Sequence, residues 1–205
     1  MSRMLFTSTR MNERDLDMGI DRIHRQALAL EKAGSDALAK NDYRTAADDF
    51  RQAAEKLRGA GDFDKSSFDF ERAGNALEGE GGLKGKAGDL KGAESAFEGA
   101  AANFEAAGAD ALKTKNPLRH SEAQRYYATA GDDRLYAGVY AETSGKKGEA
   151  ATNYKQGKAD FKLAEDFATK TGDNDAAVEY YGKAKTAGKA ADEVSGTHHK
   201  PKSGH

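Results

Sequence analysis

Large and small apolar residues alternate along this chain at the spacing of an amphipathic helix. In three stretches a large apolar residue is followed, three and four positions later, by the pair Ala-Gly. The glycines of these pairs are Gly34, Gly74 and Gly108. Positions i, i+3 and i+7 share one face of an α-helix, so each stretch predicts a helix with small residues on its packing face.

A second sequence pattern follows the first and places Ala, an aromatic residue and Ala at positions i, i+4 and i+7. Its aromatic residues are Phe50, Phe97, Tyr154 and Tyr181. In most copies a Gly-Asp or Asn-Asp pair comes before it, and such a pair ends one helix while the Asp side chain caps the next. The two patterns together predict that the aromatic ring of one helix packs against Ala and Gly of the neighbouring helix.

These patterns predict an all-α fold of about seven helices. The predicted bounds are 12–39, 43–58, 63–79, 89–113, 119–143, 147–170 and 174–192. The stretches 89–113 and 147–170 hold no helix breaker and are each expected to be one long helix. The stretch 79–88 has five glycines and is expected to be the loosest internal segment, and 82–88 within it is expected to be a hinge.

The patterns resemble those of tetratricopeptide-repeat proteins, most clearly over residues 30–56. Leu30, Ala33, Gly34 and Ala37 resemble the signature of the first helix, and Tyr43, Ala46, Phe50 and Ala53 that of the second. The distance from Gly34 to Gly74 is 40 residues, longer than the usual repeat of about 34. Longer repeats and the run 68–77 are similar to the SNAP-like branch, the soluble NSF attachment proteins.

The resemblance implies antiparallel helix hairpins stacked as a short right-handed α-solenoid. One helical-repeat domain would cover residues 1–194, with a frayed start over 1–11. Residues 195–205 are polar and are expected to form a disordered tail that folding does not need.

The residues needed for common catalytic and metal sites are missing from the sequence. There is no Cys, which excludes disulfides, thiolate catalysis and Cys-bound zinc. Asp21 and His24 are the nearest approach to a carboxylate-bundle metal motif, so His24 is expected to be an ordinary surface residue. The tail histidines His198, His199 and His205 are read as having no role. We therefore predict a non-enzymatic chain without metal or cofactor.

Two further groups of residues are predicted to have structural roles. Ser121 lies beside His120, but neighbouring residues on a helix point apart, so Ser121 is predicted to cap its helix instead of acting as a nucleophile. Five tyrosines are expected to form a stripe that packs against the sixth helix, or else a partly exposed patch for a partner. They are Tyr126, Tyr127, Tyr136, Tyr140 and Tyr154.

Charge and hydropathy narrow the classes of partner. The pI of about 6.2 disfavours nucleic acid, and no apolar run is long enough to span a membrane. The N-terminus has no signal-peptide core, so a cytoplasmic location is expected; Arg3 and Arg10 keep an organelle transit peptide open as the alternative. Residues 61–110 carry 11 acids and 5 bases, a net of −6, while 146–205 carry 11 lysines and 9 acids, a net of +2. This contrast motivates a self-assembling homo-oligomer as an alternative function.

The leading functional prediction is a protein-interaction adaptor or scaffold. In the family that the chain resembles, the first helices of the repeats line a groove that binds a partner segment. The implied groove residues are Leu28, Glu31, Ser35, Leu38, Phe68, Glu71, Asn75, Glu78, Asp132, Leu135, Val139 and Glu142. The acids among them predict a basic or amphipathic segment of another protein; the alternative is that they form a solvated face.

Overall fold

The computed structural model describes residues 13–196, and these residues form helices joined by short turns. The helices are α1 Glu13–Leu38, α2 Tyr43–Gly59, α3 Phe63–Lys86, α4 Leu90–Ala111, α5 Arg119–Thr143, α6 Lys147–Thr171 and α7 Asn174–Ser195. No strand occurs between residues 13 and 196. The predicted all-α class is confirmed, and α4 and α6 are the two uninterrupted helices that were expected.

Aspartate side chains begin four of the helices, as the Gly-Asp and Asn-Asp pairs predict. Each side chain accepts a hydrogen bond from the backbone amide three residues later, at 2.9–3.3 Å; the residues are Asp42, Asp62, Asp89 and Asp173. Gly61, Gly88 and Gly172 precede three of them with φ near +80°, a conformation that favours glycine. These pairs therefore set the boundaries of α2, α3, α4 and α7.

The start of α5 differs from the prediction. Ser121 lies exposed inside the helix, and the N-cap residue Leu118 makes no side-chain cap. The side chain of Asn116 stabilises the start of α5 instead. Its Oδ1 accepts a hydrogen bond from the Leu118 amide at 2.9 Å, and its Nδ2 donates one to Glu122 at 2.9 Å. The capping role predicted for Ser121 is therefore wrong.

The helix end predicted at 79 and the hinge predicted over 82–88 are also wrong, because α3 continues to Lys86. Gly79, Gly81 and Gly85 are not breakers: aromatic rings of other helices lie directly over them. A glycine costs about 1 kcal/mol against alanine inside a helix, but here its missing side chain makes room for a ring. The chain turns only at Gly88, where φ is +78°.

The helices pack in sequence order and alternate between two layers. Each helix contacts the one before and the one after it. In addition, α3 approaches α5 at a few positions, and α5 approaches α7. Helices α1, α3, α5 and α7 form one layer, and α2, α4 and α6 form the other. The chain is thus a helical-repeat protein.

Glycines and aromatic rings form the contacts between neighbouring helices. A Cβ atom placed on Gly34 would lie 2.8 Å from the Phe50 ring, and one on Gly74 would lie 2.8 Å from the Phe104 ring. The same relation joins α5 to α6 at Gly131 and Phe161. The predicted packing role of Gly34 and Gly74 is confirmed.

Several expectations concern residues 1–12 and 197–205, which lie outside the described residues. They include the frayed start, Arg3 and Arg10, and the tail from 197 onward with His198, His199 and His205. The tail was predicted to begin at 195, but Ser195 is the last residue of α7 and Gly196 caps it. Within the described part of the chain, no helix is long and apolar enough to cross a membrane.

Candidate functional site

Two hollows lie side by side on the layer of α1, α3 and α5, which we call the odd-helix face. The first is about 260 Å³ and lies between α1 and α3, where Leu28 and Glu31 face Lys65. The second is about 320 Å³ and lies between α3, the 112–118 loop and the start of α5, where Phe68 and Glu71 face Arg125. Helix α3 separates the two hollows, so Leu28 and Phe68 border adjoining concave surfaces.

The large apolar residues of the predicted groove divide into exposed and packed ones. Leu28 is 64% exposed, Phe68 57% and Val139 51%. Leu38 and Leu135 are half-buried against the core clusters. Val139 lies 14 residues after Arg125, about 21 Å along the helix. The structure therefore brings Leu28 and Phe68 together and places Val139 apart from them.

Glu71 is held by two residues of α5. Arg125 lies 2.6 Å from one carboxylate oxygen, and the Tyr126 hydroxyl donates to the other at 2.8 Å. Partial burial opposes the charge of Glu71, but these hydrogen bonds outweigh it and hold the pKa of the carboxyl below its usual range. Glu71 is thus an internal ion-pair partner as well as a lining residue of the hollow.

Asp132 is paired in the same way one layer further on. The Lys183 Nζ of α7 lies 3.0 Å from its carboxylate. Two acids of the odd-helix face, Glu71 and Asp132, are therefore neutralised by cations of this chain. The predicted acidic surface is weaker than the sequence implied.

The other three acids, Glu31, Glu78 and Glu142, make no ion pair within the described residues. Burial and the nearby Glu78 raise the pKa of Asp133 to about 9, so that Asp133 keeps its proton at neutral pH. Burial and the charge of Glu31 likewise raise the pKa of Asp69 to about 7, although Arg72 lies 3.4 Å from its carboxylate. The Tyr154 hydroxyl donates to Glu142 at 2.9 Å.

The two small polar residues of the predicted groove are both exposed. Ser35 Oγ accepts from Arg72 of α3 at 2.7 Å and donates to the Glu31 carbonyl at 2.7 Å. Arg72 also lies 3.8 Å above the Phe50 ring. Ser35 therefore helps to join α1 to α3, whereas Asn75 faces solvent on α3.

The cations that join alternate helices are the residues that sequence reasoning missed. Arg125 and Lys183 reach acids 54 and 51 residues earlier in the chain. On the opposite layer, Arg58 and Lys146 reach acids 52 residues away. This common separation is close to the length of one helix pair, and it is the signal that could have revealed them.

The tyrosines divide differently from either prediction. Tyr126 is buried in the core with residues of α2, α3 and α4, and Tyr140 stacks on Phe97 of α4 at 5.7 Å. Tyr127 does stack on Phe167 of α6, at 5.9 Å. Packing against the sixth helix is therefore right for Tyr127 and wrong for Tyr126 and Tyr140. Tyr136 is exposed.

His24 is not an ordinary surface residue. It is half-buried, and its Nε2 lies 3.1 Å from the Asp62 carboxylate that caps α3. The prediction failed because the pattern of α1 does not reveal the cap of α3 beside it. Among the described residues, no group of three His, Asp or Glu side chains is placed to hold a metal ion.

Comparison with known proteins yields a fold likeness. No family model matches the chain, and no curated protein matches it. A solved chain titled "DHF119 filament" has a TM-score of 0.63 and 18% identity, over 92% of this chain and 88% of that chain. A chain titled "Crystal structure of MamA protein" is 14% identical, over 86% of this chain and 97% of that chain. Its TM-score of 0.21 is too low to indicate a shared fold. The first likeness supports the helical-repeat fold.

Proposed function

We propose that this chain is a non-enzymatic cytoplasmic scaffold that binds a segment of another protein on its odd-helix face. The mode of binding would be that of tetratricopeptide-repeat proteins, and more narrowly of their SNAP-like branch. The observation that carries the proposal is the exposure of Leu28 and Phe68 at the edges of adjoining hollows. Exposed apolar side chains beside concave surfaces are typical of a protein-binding groove.

The expected partner is an amphipathic helix whose apolar side covers Leu28 and Phe68. Glu31, Glu78 and Glu142 make no ion pair within the described residues, so their charges stay available to basic residues of that helix. Each such exposed pairing contributes about 0.2–1 kcal/mol. Affinity therefore depends mainly on the apolar contacts, and charge sets the association rate.

The test begins with capture of partners from a lysate of the source organism on the immobilised chain. Binding of the captured partner is then measured for Phe68→Asp and Leu28→Asp, each expected to weaken it at least about tenfold, a loss of about 1.4 kcal/mol. Leu83→Asp is the matched control, since Leu83 is exposed on the same helix but borders neither hollow. Normal binding by Phe68→Asp would refute the odd-helix face as the site.

Charge is tested separately. Glu31→Lys should reduce the salt dependence of binding, because its carboxylate has no cationic partner in the described chain. Asp132→Lys tests a different thing: it disrupts the pair with Lys183, so it should lower stability as well as binding. Equal salt dependence for wild type and Glu31→Lys would show that the partner is not basic at this point.

Self-assembly through oppositely charged segments is the second candidate function. The acids of residues 61–110 are largely paired within the chain, for example Glu94 with Lys146, Glu105 with Arg134 and Asp110 with Arg58. Such pairing leaves little acidic charge for long-range head-to-tail attraction. Large oligomers that dissociate with added salt, detected by light scattering, would favour this candidate over the scaffold.

A further inference from the structure

Helices α6 and α7 leave an open hollow of about 570 Å³ at one end of the molecule, lined by Lys158, Lys162, Glu165, Asp166, Tyr181, Ala184 and Lys185. We call this surface the end face. We propose that two copies of the chain pair through their end faces about a two-fold axis, with their α6 helices antiparallel. This inference goes beyond the scaffold role, since it uses a different surface from the odd-helix face.

The apolar part of the end face is one that other helices of this chain keep covered. Tyr181 is 59% exposed, and Val178 one turn before it is 73% exposed. Tyr181 lies eight residues after the N-cap residue of α7. The same position in the five helices before it holds a buried aromatic residue: Phe50, Phe70, Phe97, Tyr126 and Tyr154. Helix α7 is the last helix described, and within residues 13–196 no further helix covers its ring. A second copy would supply that cover.

The charges of the end face are ordered along α6. Lys158 contacts the α7 backbone at Gly188, where a Cβ atom would lie 3.2 Å from the lysine side chain. Because α6 and α7 are antiparallel, Lys158, Lys162 and Lys185 lie in one half of the face, and Glu165 and Asp166 lie beside Tyr181 in the other. The three lysines have no ion-pair partner within the described residues.

This order makes the end face complementary to itself. A two-fold axis near Lys162, midway between 158 and 166 on α6, brings Lys158 of each copy onto Glu165 and Asp166 of the other. It also places Tyr181 near the lysines of the second copy, where cation–π contacts form; the chain already has one between Lys183 and the Phe161 ring, at 5.5 Å. A partner helix of a single charge would be repelled by one half of the face.

The size of the surface is sufficient for a stable dimer. Helix α7 has 22 residues and is about 33 Å long at 1.5 Å per residue. Two helices packed about 10 Å apart present a strip roughly 20 Å wide, hence roughly 650 Å² per copy. Burial of both strips gives about 1,300 Å², within the range of specific interfaces.

The experiment is sedimentation equilibrium of the full chain, over a range of protein and salt concentrations. Wild type is expected to approach twice the monomer mass and to dissociate more readily at high salt. Tyr181→Ala and the pair Lys158→Glu/Lys162→Glu should each raise the dimer dissociation constant at least about tenfold. Tyr136→Ala is the matched control, an exposed tyrosine far from the end face, and should leave the dimer unchanged.

A compensating variant separates specific pairing from misfolding. Adding Glu165→Lys/Asp166→Lys to Lys158→Glu/Lys162→Glu reverses every charge that α6 contributes to the end face and should restore the dimer. Circular dichroism checks that every variant stays helical. Failure of the fourfold variant to dimerise while it remains helical overturns the proposed symmetry.

Three further outcomes also overturn the proposal. The first is a wild type that stays monomeric at all concentrations. The second is a mass that grows beyond two copies, because a two-fold interface closes on itself. The third is a wild-type monomer that dimerises only after deletion of residues 197–205, which would assign the end face to the chain's own tail. None of these outcomes bears on the odd-helix face, so the two proposals fail separately.

Discussion

Phe50 and Tyr181 occupy the same place in two helices, yet their surroundings are opposite. Each lies eight residues after a capping aspartate, Asp42 or Asp173. The Phe50 ring is fully buried over Gly34 and beneath Arg72. Tyr181 lies mostly in solvent, and nothing lies within 4 Å of the space above the neighbouring Gly182. The local pattern sets the helix and its register, whereas a further helix decides whether the ring contributes to the core.

The largest test of this comparison is truncation of the two rings. Phe50→Ala should lower the free energy of unfolding by about 3–5 kcal/mol, since it removes a buried ring and leaves a cavity. Tyr181→Ala should change it by less than about 0.5 kcal/mol in the monomer. Urea unfolding at low protein concentration measures both. A large loss for Tyr181→Ala under these conditions would mean that the ring is packed within its own chain.

Buried and exposed acids also differ, and the buried ones give the stability of the fold an unusual dependence on pH. Burial and the nearby Glu78 raise the pKa of Asp133 to about 9, and burial raises those of Asp69 and Asp160 to about 7. Between pH 4 and these values the folded chain binds more protons than the unfolded chain. Stability should therefore fall as the pH rises from about 4 to about 9. Thermal unfolding followed by circular dichroism across this range measures the effect.

Substitution of one buried acid sharpens the result. Asp133→Asn should raise the free energy of unfolding at pH 8.5 by on the order of 1–3 kcal/mol, because Asp133 is ionised in the unfolded chain at this pH and must take up a proton on folding, whereas Asn need not. At pH 5, where Asp133 is protonated in the folded chain, the effect should be much smaller. Asp166→Asn on the exposed end face is the control and should leave the pH profile unchanged. Identical profiles for Asp133→Asn and wild type would show that Asp133 has an ordinary pKa.

The smallest expected effect compares two glycines of α3. Nothing lies within 4 Å of a Cβ atom on Gly82, whereas one on Gly74 would press against the Phe104 ring. Gly82→Ala should therefore stabilise the chain by about 0.5–1 kcal/mol, and Gly74→Ala should destabilise it. Chemical denaturation resolves both signs. Destabilisation by Gly82→Ala would restore the hinge that the sequence predicted.

Features that depend on neighbouring residues could be read from the sequence. The helices, the aspartate caps and the pairing of glycine with aromatic rings all follow from patterns shorter than two helical turns. The reading failed where a glycine had two possible roles. Gly81 and Gly88 look alike in sequence, but one lies under the Phe97 ring inside α3 and the other ends that helix.

The candidate site was less predictable because its side chains meet across distant helices. The resemblance gave a register that placed Leu28 and Phe68 at exposed positions, and the structure has them exposed. It gave no means of knowing that Glu71 and Asp132 already have cationic partners in the chain. Arg125 and Lys183 lie more than fifty residues further along, and no local periodicity connects them to these acids.

The ion pairs that skip one helix have a consequence for how the molecule unfolds. A repeat array held only by nearest-neighbour contacts can lose its terminal helices one at a time. Here Lys183 joins α7 to α5, and Arg125 joins α5 to α3. Detachment of α7 therefore also breaks a contact two helices away. Native-state hydrogen exchange should show α5, α6 and α7 opening as one cooperative unit, in place of a stepwise loss from the end.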